Sequence, residues 1–227
     1  MIAAASLALL AGCGSSGVAV VRIIHVAPGT GSIDAFVSDT QVATTLTYGS
    51  ATQYISVPDG SHTVELTAAG QDNTSLYKQV VAVYANTYLT IFAVNPAASI
   101  SELVLTDNDT QPDSGDFKLR VVHVSPSANP VDVYVTAPST SITNVPATFR
   151  NLPYQTAEAY LQLGAGSYEV RFTNAGTKTV IADTAAFTPN VGDIYTVALA
   201  DAPVGGTPYQ AYVYTDAEFS NNNPPTQ

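Results

Sequence analysis

Short apolar runs separated by turn-forming residues make up most of the chain. The runs are rich in Val, Ile, Thr and Tyr, and turns containing proline, glycine or aspartate interrupt them roughly every 8 to 12 residues. Residues 61–67 alternate polar and apolar side chains, which is the period of a strand with one buried face. Because sustained helical periodicity is missing, the pattern predicts an all-β protein.

The second feature of the pattern is an internal repeat. Residues 21–28 recur as 119–126, and residues 33–37 recur as 131–135 at the same offset. Later matches need a larger offset, which places extra residues of the second copy in a loop; they pair Tyr48 with Tyr154, Tyr54 with Tyr160, Tyr88 with Tyr195 and Thr106-Asp107 with Thr215-Asp216. A period near 100 residues indicates duplication of a whole domain. We therefore expect two tandem antiparallel β-sandwich domains of the immunoglobulin-like type, with about seven strands each.

Composition places the domain boundaries. We expect the first repeat at 18–106, a polar and acidic linker at 107–117, the second repeat at 118–217 and a disordered tail at 218–227. The linker carries four Asp residues and is expected to give the two domains some freedom to move independently.

The N-terminal residues form an apolar segment that is too short to span a bilayer. Residues 1–12 read as a secretory signal peptide, and Leu10-Ala11-Gly12-Cys13 resembles the bacterial lipobox. Cys13 is the only cysteine, so it is the expected lipid attachment site; an ordinary signal with a chance cysteine is the alternative. Gly14 is not the Asp that retains many such lipoproteins in the inner membrane, which favours the outer membrane. Residues 14–18 could extend less than roughly 20 Å from the anchor.

Charge narrows the possible partners. The formal net charge is −11, with only 7 Lys and Arg residues, which argues against binding to nucleic acid or to anionic lipid headgroups. We expect membrane contact through the lipid anchor alone. Nothing in the sequence implies a cofactor.

The repeated His and Asp residues are the candidate polar site. If the first two strands of each copy form a hairpin, the register sets His25 opposite Asp34 and His123 opposite Asp132. Each pair could bind a ligand or transfer a proton, since a carboxylate orients an imidazole. A cross-strand structural pair is the simpler interpretation. In this register Ile24, Val26, Ile33, Ala35 and Val37 share the core face.

Other chemistry is weakly supported. Zinc needs three or four ligands, and the third histidine, His62, is replaced by Tyr168 in the second copy, so no metal site is expected. Calcium could bind the linker carboxylates Asp107, Asp109, Asp113 and Asp116, although the EF-hand spacing is missing. No Ser or Cys nucleophile recurs with the His-Asp pair, so we expect no catalytic residues and no enzyme activity.

Both copies resemble one known family. The pattern Arg-x-x-His-x-x-Pro, then an Asp at the start of a strand, a Tyr and a Gly-Ser-x-x-Val run, is similar to the domain-of-unknown-function family 4397 of secreted and surface bacterial proteins. The resemblance covers about 190 residues. It implies a β-sandwich outside the cytoplasm and brings no established activity.

The sequence therefore predicts a noncatalytic lipoprotein of the cell envelope. Tandem sandwiches on a lipid anchor suit a module that binds a protein or polysaccharide, or that acts as a spacer. A purely structural envelope component and a hydrolase with an unrecognised site are the alternatives.

Overall fold

The computed structural model describes residues 17–71, 74–108 and 110–216. The first repeat has eight strands: β1 Val18–His25, β2 Ile33–Val37, β3 Thr40–Leu46, β4 Ile55–Pro58, β5 Gly60–Ala68, β6 Ser75–Val83, β7 Tyr88–Val94 and β8 Ser101–Asp107. The second has nine: β9 Asp116–His123, β10 Val131–Thr136, β11 Phe149–Leu152, β12 Thr156–Ala157, β13 Leu161–Gly164, β14 Glu169–Asn174, β15 Val180–Asp183, β16 Ile194–Ala200 and β17 Gln210–Thr215. The all-β expectation is confirmed.

Each repeat is a sandwich of two sheets. In the first repeat the orders are β4-β1-β7-β8 and β3-β2-β5-β6; in the second they are β12-β9-β16-β17, with β13 also paired to β9, and β11-β10-β14-β15. The sandwich architecture is confirmed. Most strand pairs are antiparallel as expected, but β1 pairs parallel to β7, and β9 pairs parallel to β16.

The expected hairpin between the first two strands is wrong. β1 pairs with β4 and β7, whereas β2 pairs with β3 and β5 in the other sheet. The chain therefore crosses from one sheet to the other between His25 and Ile33. The same crossing separates β9 from β10.

The sheets containing β1 and β9 are buried on both faces. Ala19, Val21 and Ile23 of β1 pack into the first sandwich core with Ile33 and Ala35 of β2. The alternate residues of β1 join a separate cluster that draws on both repeats, and we call it the junction. Its buried members are Ile24, Val26, Phe92, Val94, Val122, Val124, Ala198, Ala200 and Tyr214.

The junction contradicts the expectation of independent domains. Nine buried side chains from both repeats form one apolar layer between the two sandwiches. Interfaces that are extensive and apolar hold domains together, in contrast to small polar ones. Strands also reach into both ends of the expected linker, because β8 ends at Asp107 and β9 begins at Asp116. Both Asp107 and Phe117 are buried.

Within the described part of the chain, no helix is long and apolar enough to cross a membrane. The expected signal peptide, Cys13 and the expected C-terminal tail lie outside the described residues.

Candidate functional site

An ion pair between the repeats lies at one end of the junction. Arg22, on the junction face of β1, pairs with the carboxylate of Asp216, directly after β17 of the second repeat. Its Nε donates to Thr90 Oγ1 at 2.8 Å and its Nη1 donates to the carbonyl oxygen of Thr215 at 2.7 Å. Both charged side chains are almost fully buried. Burial alone would lower the pKa of Arg22, but the carboxylates of Asp216 and Asp107 raise it above its ordinary value.

The second repeat makes the equivalent ion pair with the first. Arg120 Nη2 donates to Asp107 Oδ1 at 2.6 Å, and its Nε donates to Thr196 Oγ1 at 3.1 Å. Asp107 ends β8 of the first repeat, so each arginine binds the terminal aspartate of the other repeat. Thr90 and Thr196 are equivalent because each lies beside the arginine of its own sheet.

Two tyrosines complete the network. The guanidinium carbons of Arg22 and Arg120 each lie 4.7 Å from a ring centroid, that of Tyr54 and Tyr160 respectively. Tyr54 donates to Asp107 at 2.7 Å, and Tyr160 donates to Asp216 at 2.5 Å. Burial raises the pKa of both phenols. We call these eight side chains the Arg-Asp lock. They are Arg22, Arg120, Thr90, Thr196, Tyr54, Tyr160, Asp107 and Asp216.

The lock is suited to fastening, not to chemistry. Each guanidinium has a carboxylate, a threonine hydroxyl, a carbonyl and an aromatic face as partners, and each of its three nitrogens donates a hydrogen bond. Two positive and two negative groups balance one another in a buried setting, which removes the cost of an unpaired charge. The repeated arginine, tyrosine and terminal aspartate of the sequence therefore have one shared structural role.

The structure does not bring His25 and Asp34 together. His25 lies at the end of β1, where Nε2 donates to the Gly31 carbonyl at 2.8 Å and Nδ1 accepts from the Ala27 amide at 3.4 Å. His123 repeats this arrangement with Asn129 and Ser125. Burial lowers the pKa of both histidines, and a ring that donates from Nε2 and accepts at Nδ1 has the hydrogen bonds of a neutral imidazole. Each ring holds the loop that crosses between sheets.

Each histidine also contacts a tyrosine that bridges the repeats. Tyr48 packs edge-on against His25, with ring centroids 5.6 Å apart, and donates to the Asp201 carbonyl of the second repeat at 2.9 Å. Tyr154 packs against His123 at 5.9 Å and donates to Asn95 of the first repeat at 2.6 Å. The histidines thus support the junction from its other end.

Asp34 and Asp132 bind backbone amides in the outer sheets. Asp34 accepts from Thr45 N at 2.6 Å and from Gly70 N at 2.8 Å. Asp132 accepts from Asn151 N at 2.8 Å and from Gly176 N at 2.9 Å. The recurrence of His and Asp has a structural cause in each case, but the expected pairs, His25 with Asp34 and His123 with Asp132, do not form because β1 and β2 lie in different sheets.

A slot opens at the edge of the first sandwich, between β3 and β4. Its volume is about 440 Å³. It is lined by five apolar residues, Val37, Val42, Ile55, Val57 and Pro58, and by five polar ones, Ser38, Thr40, Gln41, Ser56 and His62. β3 and β4 are edge strands of opposite sheets, so the slot follows the open side of the sandwich.

A Ser-His contact at this slot was not anticipated from the sequence. Ser38 Oγ lies 2.8 Å from His62 Nδ1, while His62 Nε2 donates to the Pro58 carbonyl at 2.7 Å. A backbone carbonyl thus stands where a catalytic triad has a carboxylate. The two residues are 24 positions apart and show no motif spacing. The lack of a counterpart to His62 in the second copy was the available signal.

The metal hypotheses gain no support from the geometry. Among the residues that the structure describes, no three His, Cys, Asp or Glu side chains come together as a metal site. Asp107, one of the four carboxylates considered for calcium, is buried against Arg120, and Asp109 lies outside the described residues.

Comparison with known proteins gives a family but no activity. The family model described as "Domain of unknown function (DUF4397)" matches residues 19–134 and 136–226. No curated protein matches the chain. Similar solved structures include a family CBM26 module of Eubacterium rectale Amy13K in complex with maltoheptaose, with 11% identity, a TM-score of 0.29, and coverage of 88% of this chain and 99% of that chain.

Two further structures are similar at the same level. The Bacillus anthracis TIE protein has 11% identity and a TM-score of 0.27, with coverage of 86% of this chain and 34% of that chain. A streptococcal virulence factor, from a structure described as "Alpha-glucan binding by a streptococcal virulence factor", has 10% identity and a TM-score of 0.26, with coverage of 85% and 95%. At these TM-scores and identities, the similarities carry no argument about ligand or activity.

Proposed function

We propose that this chain, which belongs to the domain-of-unknown-function family 4397, is a noncatalytic lipoprotein of the bacterial envelope. Cys13 carries the lipid, and the tandem sandwiches act together as one rigid module that binds an envelope protein or polysaccharide. The outer membrane is the proposed location.

The Arg-Asp lock is the observation that carries the noncatalytic part of this proposal. Arginine, tyrosine and terminal aspartate recur in both repeats, and every one of these side chains is occupied by a contact that fastens the repeats together. The recurring histidines are held by backbone groups on both ring nitrogens. The repeated polar residues are thus accounted for without a reaction.

Rigidity favours a binding or presenting role. A module that keeps two sandwiches in fixed relation offers a preorganised surface, and preorganisation lowers the entropy lost on binding. The lipobox at Leu10–Cys13 and the short segment after it support attachment close to a membrane.

Metabolic labelling tests the anchor. Cells producing the wild-type chain or the Cys13→Ser variant would be fed an alkyne-tagged fatty acid and then fractionated. We expect only the wild type to carry the label, and only the wild type to be found in the membrane fraction. An unlabelled wild type recovered without its signal peptide in the soluble fraction would contradict the anchor.

Envelope binding needs a separate assay. The full chain with Cys13→Ser would be run through native gels containing purified envelope polysaccharide, and parallel samples would be photo-crosslinked to intact envelope proteins. Retardation, or a crosslinked product that unmodified protein competes away, supports the binding role. A chain that migrates freely and gives no competed product would point to a spacer instead.

A further inference from the structure

The two repeats carry different side chains in the region of the slot. Strand register makes β4 equivalent to β13, because Ala19 pairs with Val57 in the first repeat and Phe117 pairs with Leu163 in the second. It likewise makes His62, which pairs with Val81, equivalent to Tyr168, which bridges to Phe187.

The second repeat fills this region with aromatic rings. The Phe117 and Tyr168 ring centroids are 5.1 Å apart, and those of Phe187 and Tyr195 are 5.8 Å apart. Tyr195 also contacts Phe117, at 6.4 Å. The equivalent residues of the first repeat are smaller: Ala19, His62, Val81 and Leu89. Of these four residues, His62 lines the slot, whereas Ala19, Val81 and Leu89 are buried in the first sandwich core.

The walls of the slot define the chemistry of an occupant. Five apolar residues line the slot together with five polar ones, Ser38, Thr40, Gln41, Ser56 and His62, and no described residue that lines it is an acid, a lysine or an arginine. A charged group would lose hydration there without a partner of opposite charge, so the buried part of a ligand is uncharged, and the five apolar side chains favour an aliphatic segment. The volume of about 440 Å³ lies within the range of about 300–1,000 Å³ that small-molecule sites occupy.

The shape of the slot favours a slender occupant. Sheets in a sandwich stand about 10 Å apart, a gap that one layer of side chains fills. The slot follows four residues of β4, Ile55–Pro58, which span roughly 13 Å at the rise of an extended strand. Ser38 and His62 give it a polar mouth. An apolar chain with a polar head matches all three features.

The start of β1 adjoins the same place. Val18 pairs with Pro58, and the Gly17 carbonyl accepts from the Asp59 amide at 2.8 Å. Cys13 is four residues before Gly17, a distance that extended chain covers in at most about 14 Å. If Cys13 is acylated, as the proposed function holds, acyl chains are present within reach of the slot.

We propose that the slot between β3 and β4 binds one linear acyl chain, with its polar head beside Ser38 and His62. The first repeat is then the ligand-binding repeat. The chemistry of the site rests on the slot itself, and only the supply of the chain from Cys13 rests on the proposed function.

Fatty-acid binding to the full chain with Cys13→Ser tests the site without the anchor. Saturated fatty acids of 8 to 16 carbons, a range chosen on the order of the slot's length, would displace a fluorescent fatty acid, and native mass spectrometry would give the stoichiometry. We expect one fatty acid per chain. Two variants should block the slot: His62→Tyr, which copies the second repeat, and Val42→Phe on the edge strand. Each should weaken binding at least tenfold, which is about 1.4 kcal/mol.

The reverse substitution Tyr168→His in the second repeat is the matched control, and it should leave binding unchanged. Thermal melts of all variants separate a blocked slot from a lost fold. Absence of binding at every chain length, or undiminished binding in two folded blocking variants, would overturn the proposal.

Wild-type protein purified from membranes shows where the bound acyl chain comes from. If its own lipid fills the slot, added fatty acid binds only to Cys13→Ser; if another lipid does, both proteins bind it. Either result supports acyl binding. Failure of labelling at Cys13 would contradict the anchor alone, because the binding assay uses a chain that lacks it.

Discussion

At the residue scale, the repeat marked side chains with structural roles, but the partners expected for His25 and Asp34 were wrong and none was assigned to Arg22. Arg22, His25 and Asp34 recur in the second copy, and each has a structural contact that also recurs. Their partners could not be found locally, because Arg22 binds Asp216, 194 positions away. Thr90 and Thr196 went unnoticed because matching Tyr88 with Tyr195 shifted the late strands by one residue; the strand register places Tyr88 level with Ile194.

Removing one arginine of the lock should be costly. Arg22→Ala leaves the Asp216 carboxylate buried without its cation, and we expect the free energy of unfolding to fall by about 3–5 kcal/mol. Arg120→Ala should cost a similar amount. Urea unfolding followed by circular dichroism measures both. Lys78→Ala, which removes an exposed partner of Glu65, is the control and should have little effect; a small effect for Arg22→Ala would contradict the lock.

The buried histidines should make stability depend on pH. Burial lowers the pKa of His25 and His123 in the folded protein, so the unfolded chain takes up protons first as the pH falls. Their contribution is complete above about pH 6.5, the ordinary value, and is lost as the pH drops below it. The difference in unfolding free energy between pH 7 and pH 5 should shrink in the His25→Gln/His123→Gln variant. An unchanged difference would show that these imidazoles do not titrate with folding.

Separate roles for His25 and Asp34 predict additive effects. Asp34→Asn removes one of the two carboxylate oxygens that accept from the Thr45 and Gly70 amides, and should cost about 1–3 kcal/mol. The two residues share no partner, so the double variant with His25→Gln should equal the sum of the single variants within about 0.5 kcal/mol. A larger coupling energy in this cycle would restore the direct pair that the sequence suggested.

At the element scale, strand positions were largely predictable and strand pairing was not. The alternation over residues 61–67 corresponds to β5, with Val64 and Leu66 buried. β1 defeats the same reasoning, because apolar side chains on both faces leave no polar side to mark its orientation. Ile33, Ala35 and Val37 do face the sandwich core as expected, whereas Ile24 and Val26 face the other repeat. A parallel pair of strands 68 positions apart gives no local signal.

The loop before β4 lies against the Tyr212 ring of β17, and a side chain at Gly49 would require that ring to move. A Cβ on Gly49 would lie 2.4 Å from the Tyr212 ring, and the residue has φ of +80°. Gly70 has φ of +72° with nothing within 4 Å. Gly70→Ala should therefore cost only the backbone strain of about 1–2 kcal/mol, and Gly49→Ala should cost about 1–3 kcal/mol more. Equal losses in urea unfolding would mean that this contact between the repeats is loose.

At the scale of the whole molecule, the two copies share one buried apolar layer. The sequence indicated two domains joined by a polar segment, and composition favoured freedom between them. The apolar junction was hidden because its residues look like ordinary core positions of each copy, and a second buried face becomes visible only when the copies are packed together. The lock at one end and the His-Tyr contacts at the other hold that layer in place.

Differential scanning calorimetry of the full chain with Cys13→Ser tests this account most directly. If the junction joins the repeats into one cooperative unit, the protein should melt in a single transition whose calorimetric and van't Hoff enthalpies agree. Arg22→Ala should move that single transition to lower temperature. Two resolved transitions in the wild type, with a calorimetric enthalpy near twice the van't Hoff value, would show that the repeats unfold independently and would contradict the account.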